Sequence, residues 1–196
     1  MNPQAAKVSL RQQLVTCAVF CVLAGVVMLF HRNAYGSVFV SGLPLTYQML
    51  LGIAFGAIYW VASLLGSRFV AGRRATRHMA ESYNRLDLSG LNPLWMALAA
   101  GVGEELLFRG ALQPVLGIWL TSVAFVLVHI RAYRLDALNK RVLLQSVSIF
   151  AISVALGYLA LYAGLLTAIL VHAAMDAVGL FFIRRMARSA TTPMPG

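Results

Sequence analysis

Three short segments place ionisable side chains inside apolar stretches of the sequence. They read GVGEELLFRG (residues 101–110), FVLVHI (125–130) and VHAAMDAVG (171–179). The chain has only 6 acidic residues, and Glu104, Glu105 and Asp176 lie in these segments. Charged groups are costly at membrane depth, and they are usually functional where they occur there. The segments therefore mark a candidate site for acid–base chemistry.

The two glutamates of the first segment point in different directions from the helix. On an α-helix at about 100° per residue, Arg109 lies about 40° from Glu105 and about 140° from Glu104. Glu105 and Arg109 are therefore predicted to pair as neighbours one turn apart. Glu104 points elsewhere, which leaves its carboxylate for chemistry.

The histidines come at depths that match Glu104. The chain is predicted to turn near Gly117 and Gly164, and a rise of 1.5 Å per residue puts Glu104, His129 and Asp176 roughly 18–20 Å from these turns. His172 lies about one helical turn closer than Asp176 to the chain reversal at Gly164. Phe125 shares a helix face with His129. The spacing predicts that side chains from three helices lie in one layer.

The composition indicates that these helices cross a membrane. Of 196 residues, 60% are hydrophobic and 11% charged, and the mean hydropathy is +0.79. A helix needs about 20 apolar residues to span a bilayer. Such windows recur at 12–30, 47–66, 93–116, 117–131, 142–161 and 163–183. The sequence predicts an all-α, polytopic helical bundle with about six transmembrane helices.

Basic residues set the predicted orientation. The net charge is +10, and alternate connections are rich and poor in Lys and Arg. The positive-inside rule then predicts that both termini are cytoplasmic. The same distribution argues against nucleic acid as a partner, because no basic platform carries interleaved aromatic residues.

The three motifs together resemble one family. The chain carries Glu104-Glu105-x-x-x-Arg109, Phe125-x-x-x-His129 and His172-x-x-x-Asp176 in this order. This pattern is similar to that of the CAAX-protease and bacteriocin-processing (CPBP) family of intramembrane glutamic endopeptidases, which includes Ras-converting enzymes. The resemblance covers roughly residues 93–183, and the position of Asp176 is Asn in some members.

The resemblance implies roles for these residues. Glu104 would act as the general base that activates water, with help from His129. His172 and Asp176 would face the scissile carbonyl, although an ionised Asp176 cannot donate to an oxyanion and is expected to orient His172 instead. Glu105, Arg109 and Phe125 would give structural support. No metal or other cofactor is expected.

Other interpretations stay open on the sequence alone. Two histidines and a glutamate are plausible zinc ligands, which gives a zinc-dependent membrane protease as one alternative. A non-catalytic scaffold that regulates a partner membrane protein is another. A proton-coupled transporter would also carry buried carboxylates, but it usually has inverted repeats or broken helices.

The predicted organisation has three parts. Residues 1–92 hold two transmembrane helices and a basic cytoplasmic connection with a short amphipathic helix, residues 93–183 form the catalytic core, and residues 184–196 form a disordered basic tail. The expected partners are the lipid bilayer and a membrane-associated or lipid-modified protein or peptide substrate. The expected location is the inner (cytoplasmic) membrane of a cell, and the sequence does not indicate an oligomeric state.

Overall fold

The computed structural model describes residues 7–31, 35–69, 86–129 and 140–191. In these ranges the chain is helical, with one isolated β-bridge between Val8 and Leu86. The elements are α1 (Leu10–Phe30), α2 (Tyr35–Val40), α3 (Leu45–Phe69), α4 (Asn92–Glu105), a π-helical segment (Leu106–Leu112), α5 (Gln113–His129), α6 (Lys140–Tyr162) and α7 (Leu165–Thr191). The predicted all-α fold is confirmed for this part of the chain.

Five helical segments are long and apolar enough to cross a membrane. Four lie in α1, α3, α6 and α7, and the fifth is the continuous run Asn92–His129, which combines the third and fourth predicted helices. The chain is thus a multi-pass membrane protein. Six crossings and the cytoplasmic position of both termini stay predictions.

The long run reverses direction at Gly117. This residue has φ 74° and ψ 171°, a conformation outside the helical region. In a straight helix Phe108 and Phe125 would lie about 25 Å apart, but their ring centroids are 4.9 Å apart. The turn predicted near Gly117 is therefore confirmed. It folds α5 back beside the π-helical segment.

Helix α7 lies at the centre of the described bundle. Half of its apolar window, 50%, is buried, against 11–22% for the other four segments. It packs against α3, α4 and α6, while α4 also packs against α1. A Cβ atom at Gly101 would lie 3.0 Å from the Ile169 carbonyl oxygen on α7, and one at Gly103 would lie 3.0 Å from Cys17 Cα on α1. These glycines let α4 lie close to both neighbours.

Gln48 joins the loop before α3 to the start of α7. Its side chain is fully buried. The amide nitrogen donates to the carbonyl oxygens of Phe39 at 3.3 Å, Ser41 at 3.2 Å and Leu43 at 2.7 Å, and the amide oxygen accepts from the Leu166 N–H at 3.1 Å. One side chain therefore satisfies backbone groups that helix ends leave unpaired. The contact fixes the N-terminal end of the helix that carries His172.

Replacing Gln48 by Leu should destabilise this end of the bundle. The substitution leaves four backbone groups without their partner, and each buried unpaired group costs about 1–3 kcal/mol. We expect the free energy of unfolding in detergent to fall by at least about 4 kcal/mol. The control is Gln113→Leu, which removes a side-chain bond to the Gly157 carbonyl at 3.0 Å. Equal melting temperatures for the two variants would contradict the role of Gln48.

The opposite end of the bundle brings together the start of α1, the segment before α4 and the end of α7. Val8, just before α1, pairs with Leu86 in the β-bridge. Arg184, near the end of α7, donates through Nη1 to the Gly90 carbonyl at 2.6 Å. The start of α1, the segment before α4 and the end of α7 therefore lie on one side of the bundle.

The last helix differs from its prediction. It was expected to end near residue 183 and to be followed by a disordered tail, but α7 continues to Thr191. Residues 184–190, RRMARSA, contain strong helix formers, which carry the helix beyond its last apolar turn. Residues 192–196 lie outside the described ranges, as do residues 70–85, where most of the predicted amphipathic helix falls.

Candidate active site

The three motifs meet at one place in the bundle. Glu104 Oε2 lies 3.4 Å from His129 Nε2 and 3.8 Å from His172 Nε2. Asp176 Oδ2 lies 3.7 Å from the same His172 nitrogen. The residues come from α4, α5 and α7, so the turns at Gly117 and Gly164 bring together side chains that are far apart in sequence.

The site is mostly buried and is more open at one edge. The side chains of Glu104, His129 and His172 are 14%, 12% and 10% exposed. The side chain of Asp176 is 35% exposed. Asp176 therefore lies toward the opening, and the other three lie deeper.

Hydrogen bonding determines which nitrogen of His129 carries a proton. His129 Nδ1 lies 2.7 Å from the Phe125 carbonyl oxygen. A carbonyl can only accept, so Nδ1 must donate. In the neutral ring, Nε2 then presents a lone pair toward Glu104. A lone pair and a carboxylate are both acceptors, so a proton or a water molecule must join them.

Glu105 supports more of the site than its sequence spacing indicated. Arg109 Nη1 donates to Glu105 Oε1 at 2.9 Å, as predicted for this pair. The same oxygen also lies 2.6 Å from His172 Nδ1. Asp176 was expected to orient His172, but in the structure Glu105 makes the hydrogen bond to this ring. The spacing within α4 could not show this, because His172 lies on another helix.

Arg109 is held by residues from two further helices. Its Nη2 donates to the Ser153 carbonyl at 3.0 Å and to the Ser153 hydroxyl at 2.9 Å. Its guanidinium carbon lies 4.8 Å from the centroid of the Phe125 ring, in a cation–π contact. Ser153 is on α6 and is fully buried. It was missed in the sequence, because a serine inside an apolar helix carries no motif.

The Phe125 ring connects the parts of the site. It stacks on His129 with centroids 4.2 Å apart, and its centroid lies 6.2 Å from that of His172. The ring is 6% exposed. Phe125 thus fixes the planes of both imidazoles by packing, which is consistent with the predicted structural support.

Two carboxylate oxygens in the site are buried without a hydrogen bond. Among the described residues, Glu104 Oε2 and Glu105 Oε2 have no hydrogen-bond partner. Buried polar atoms are normally paired with protein or water. At Glu104 this oxygen faces the two imidazole Nε2 atoms, so the site offers water an acceptor next to a histidine.

The described residues do not form an evident metal centre. No group of three or more His, Cys, Asp and Glu side chains in these ranges is arranged to hold a metal ion. The zinc alternative is therefore left to a direct chelation test.

Comparison with protein families decides the relationship. Residues 88–178 match the family described as type II CAAX prenyl endopeptidase Rce1-like. This segment therefore carries an Rce1-like domain, which supports the resemblance to the CPBP family. The match contains all seven motif residues and extends from just before α4 into the first half of α7. Searches of curated proteins and of solved structures found no match.

The family relationship gives the chain its general class. CPBP proteins of this type are CAAX proteases, and this chain carries a CAAX-protease domain in a membrane bundle. The catalytic type, the roles of single residues and the boundaries of the three predicted parts of the chain stay predictions.

Proposed function

We propose that the protein hydrolyses a peptide bond in a prenylated protein or peptide by means of a water molecule activated by Glu104. The observation that carries this proposal is the pairing of Glu104 Oε2 with His129 Nε2 at 3.4 Å. Both acceptors lie within reach of one water, in a site that is largely closed to solvent. The name of the matched family, a CAAX prenyl endopeptidase, supports the substrate class.

The proposed reaction needs only residues of this chain. Glu104 takes a proton from water, and the water oxygen attacks the scissile carbonyl carbon. The carbonyl oxygen then becomes an oxyanion, and the C–N bond breaks as the proton passes from Glu104 to the departing nitrogen. General base catalysis of this kind typically contributes about 10²- to 10⁴-fold in rate.

His172 is the proposed donor to the oxyanion. Its Nδ1 is held by Glu105, so Nε2 faces the reaction site. Asp176 Oδ2 lies 3.7 Å from Nε2, so its carboxylate is placed to stabilise positive charge on the ring by Coulombic attraction. We therefore assign Asp176 an electrostatic role in place of the orienting role expected from sequence. A hydrogen-bond donor directed at the developing negative charge contributes strongly to the rate of amide hydrolysis.

The proposed topology has six membrane crossings and two cytoplasmic termini. The alternation of basic connections supports it. So does the meeting of the start of α1 and the end of α7 on one side of the bundle. The inner membrane of a bacterial cell is the proposed location.

An apolar groove at the depth of the site is the proposed place for the prenyl chain. It measures about 540 Å³ and lies between α3, α4 and α7. Its lining includes Ala57 and Trp60 of α3, Leu98 of α4, and Ala173 and Ala177 of α7. Ala173 and Ala177 each follow a site residue, His172 and Asp176, in sequence. The groove residues lie about 100° around α7 from these two site residues, so the groove and the site are at the same depth on different faces of one helix.

Filling the groove should weaken substrate binding without changing the chemistry. We expect Ala57→Trp to raise KM for a farnesylated peptide about tenfold, because burying each CH₂ group is worth about 0.8 kcal/mol and displacing about two of them costs roughly 1.4 kcal/mol. The value of kcat should not change, since the lost contacts are equal in the ground and transition states. Ala54→Trp is the matched control, because Ala54 is exposed on α3 and does not line the groove. The same KM in both variants would remove the groove from the proposal.

The proposed activity can be tested with purified protein in lipid vesicles. The probe is a peptide with a farnesylated C-terminal C-a-a-X sequence, and mass spectrometry detects the released fragment. Cleavage should need the prenyl group and should persist after exhaustive chelation. Loss of activity on chelation, with recovery on adding zinc, would favour the metal-dependent alternative. Absence of cleavage, together with rescue of a deletion strain by Glu104→Ala, would favour the scaffold.

A further inference from the structure

We infer that Ser153 is a positioning residue for the reaction and acts through Arg109 and Glu105 on His172. This inference rests on the proposed function. Ser153 lies on α6, outside all three motifs, so the sequence pattern assigns it no role. Its importance follows from a continuous chain of hydrogen bonds that begins at its hydroxyl.

The chain of hydrogen bonds crosses the bundle. The Ser153 hydroxyl accepts from Arg109 Nη2 at 2.9 Å, and Arg109 Nη1 donates to Glu105 Oε1 at 2.9 Å. Glu105 Oε1 in turn lies 2.6 Å from His172 Nδ1. All four residues are buried, with exposures of 0%, 4%, 0% and 8% in this order. Water therefore does not compete strongly for these bonds, and each one constrains the next.

Specific contacts hold the Arg109 guanidinium in place. The residue borders a cavity of about 490 Å³ between α2, the turn at Gly117, and the facing ends of α6 and α7, and its side chain is 1% exposed. The two bonds to Ser153 and the contact with Phe125 hold the guanidinium on the site side of this cavity. Without the hydroxyl, one of these restraints is lost.

Movement of Arg109 would change the state of His172. Glu105 Oε1 accepts from both Arg109 and His172, so a shift of the guanidinium changes the position and charge of the shared acceptor. His172 Nδ1 would then be held less firmly, and Nε2 would turn from its place near Glu104 and Asp176. Ser153 thus sets the direction of the proposed oxyanion donor from a distance.

The test compares Ser153→Ala with a matched serine on the same helix. Ser148 is exposed, and its hydroxyl donates to the Leu144 carbonyl within α6, so Ser148→Ala is the control. We expect Ser153→Ala to lower kcat about tenfold on the farnesylated peptide with KM unchanged, because hydrogen bonds to charged groups are the stronger ones. Ser148→Ala should match the wild type in both constants.

A second readout follows His172 without any activity. In ¹⁵N-histidine-labelled protein, the hydrogen-bonded Nδ1 proton of His172 should give a downfield resonance, which is assigned by its loss in His172→Asn. Ser153→Ala should shift this resonance upfield, and Ser148→Ala should leave it in place. This measurement works even if the farnesylated peptide is not a substrate.

The outcomes separate the inference from the proposed function. A wild-type protein that does not cleave the peptide, with the expected resonance shift, would overturn the proposed substrate and keep the positioning of His172 by Ser153. An active Ser153→Ala protein with wild-type kcat and an unmoved resonance would overturn the inference. A lower melting temperature with wild-type kcat in the folded protein would also overturn it, because Ser153 would then serve stability alone.

Discussion

Replacing Glu104 by Gln should abolish cleavage while the fold is retained. Gln has the same size but cannot take a proton from water at neutral pH, so kcat should fall by about 10²- to 10⁴-fold. The fold should survive, because Gln keeps the size and shape of the side chain and Glu104 Oε2 has no hydrogen-bond partner within the described residues. Cleavage of the farnesylated peptide and the melting temperature in detergent measure the two effects separately.

Glu104→Asp provides the control for position. It keeps the carboxylate but withdraws it by about one methylene from His129, and misplacement on the order of 1 Å can cost about 10²-fold. We expect an activity between those of the wild type and Glu104→Gln. If Glu104→Gln cleaves at the wild-type rate, Glu104 is not the base, and the buried carboxylate has a structural role.

The second large effect is expected at the Glu105–Arg109 pair. Removing one partner of a buried ion pair typically costs about 3–5 kcal/mol, because the other charge is left uncompensated. Glu105→Gln and Arg109→Met should each lower the free energy of unfolding by this amount. The side chains of both residues are nearly inaccessible, at 0% and 1% exposure, so water cannot replace the lost partner. Chemical denaturation in detergent measures the change.

The double variant distinguishes charge balance from the role in the site. Glu105→Leu combined with Arg109→Met removes both charges, so the stability should recover toward the wild type. Activity should not recover, because His172 Nδ1 has then lost the oxygen that it contacts at 2.6 Å. A stable and fully active double variant would show that Glu105 does not position His172.

The glutamates show how far helical spacing can be used. A spacing of four residues was sufficient to pair Glu105 with Arg109, and the structure has this bond at 2.9 Å. Spacing within one helix predicted only structural support for Glu105, because it carries no information on contacts with other helices. The contact between Glu105 and His172 depends on the distance and rotation between α4 and α7. Those quantities are set by glycine contacts such as that of Gly101 with Ile169.

The depth of the site residues was predictable for a similar physical reason. Rise per residue and a turn at Gly117 place Glu104 and His129 at equal depth, and the structure puts their side-chain atoms 3.4 Å apart. Depth does not determine direction, however. Asp176 was expected to orient His172 because an ionised carboxylate cannot donate to an oxyanion, but its oxygen lies 3.7 Å from Nε2, and His172 Nδ1 contacts Glu105 instead.

Sequence by itself determined the membrane class, the helices and the three motifs, because hydropathy and residue spacing are local properties. It also indicated the layer in which the motifs meet, since every helix rises by the same length per residue. Only the tertiary structure decided which side chains hold one another. Ser153 contacts Arg109 across 44 positions and Glu105 contacts His172 across 67. Such contacts depend on how whole helices pack, and no local pattern encodes that packing.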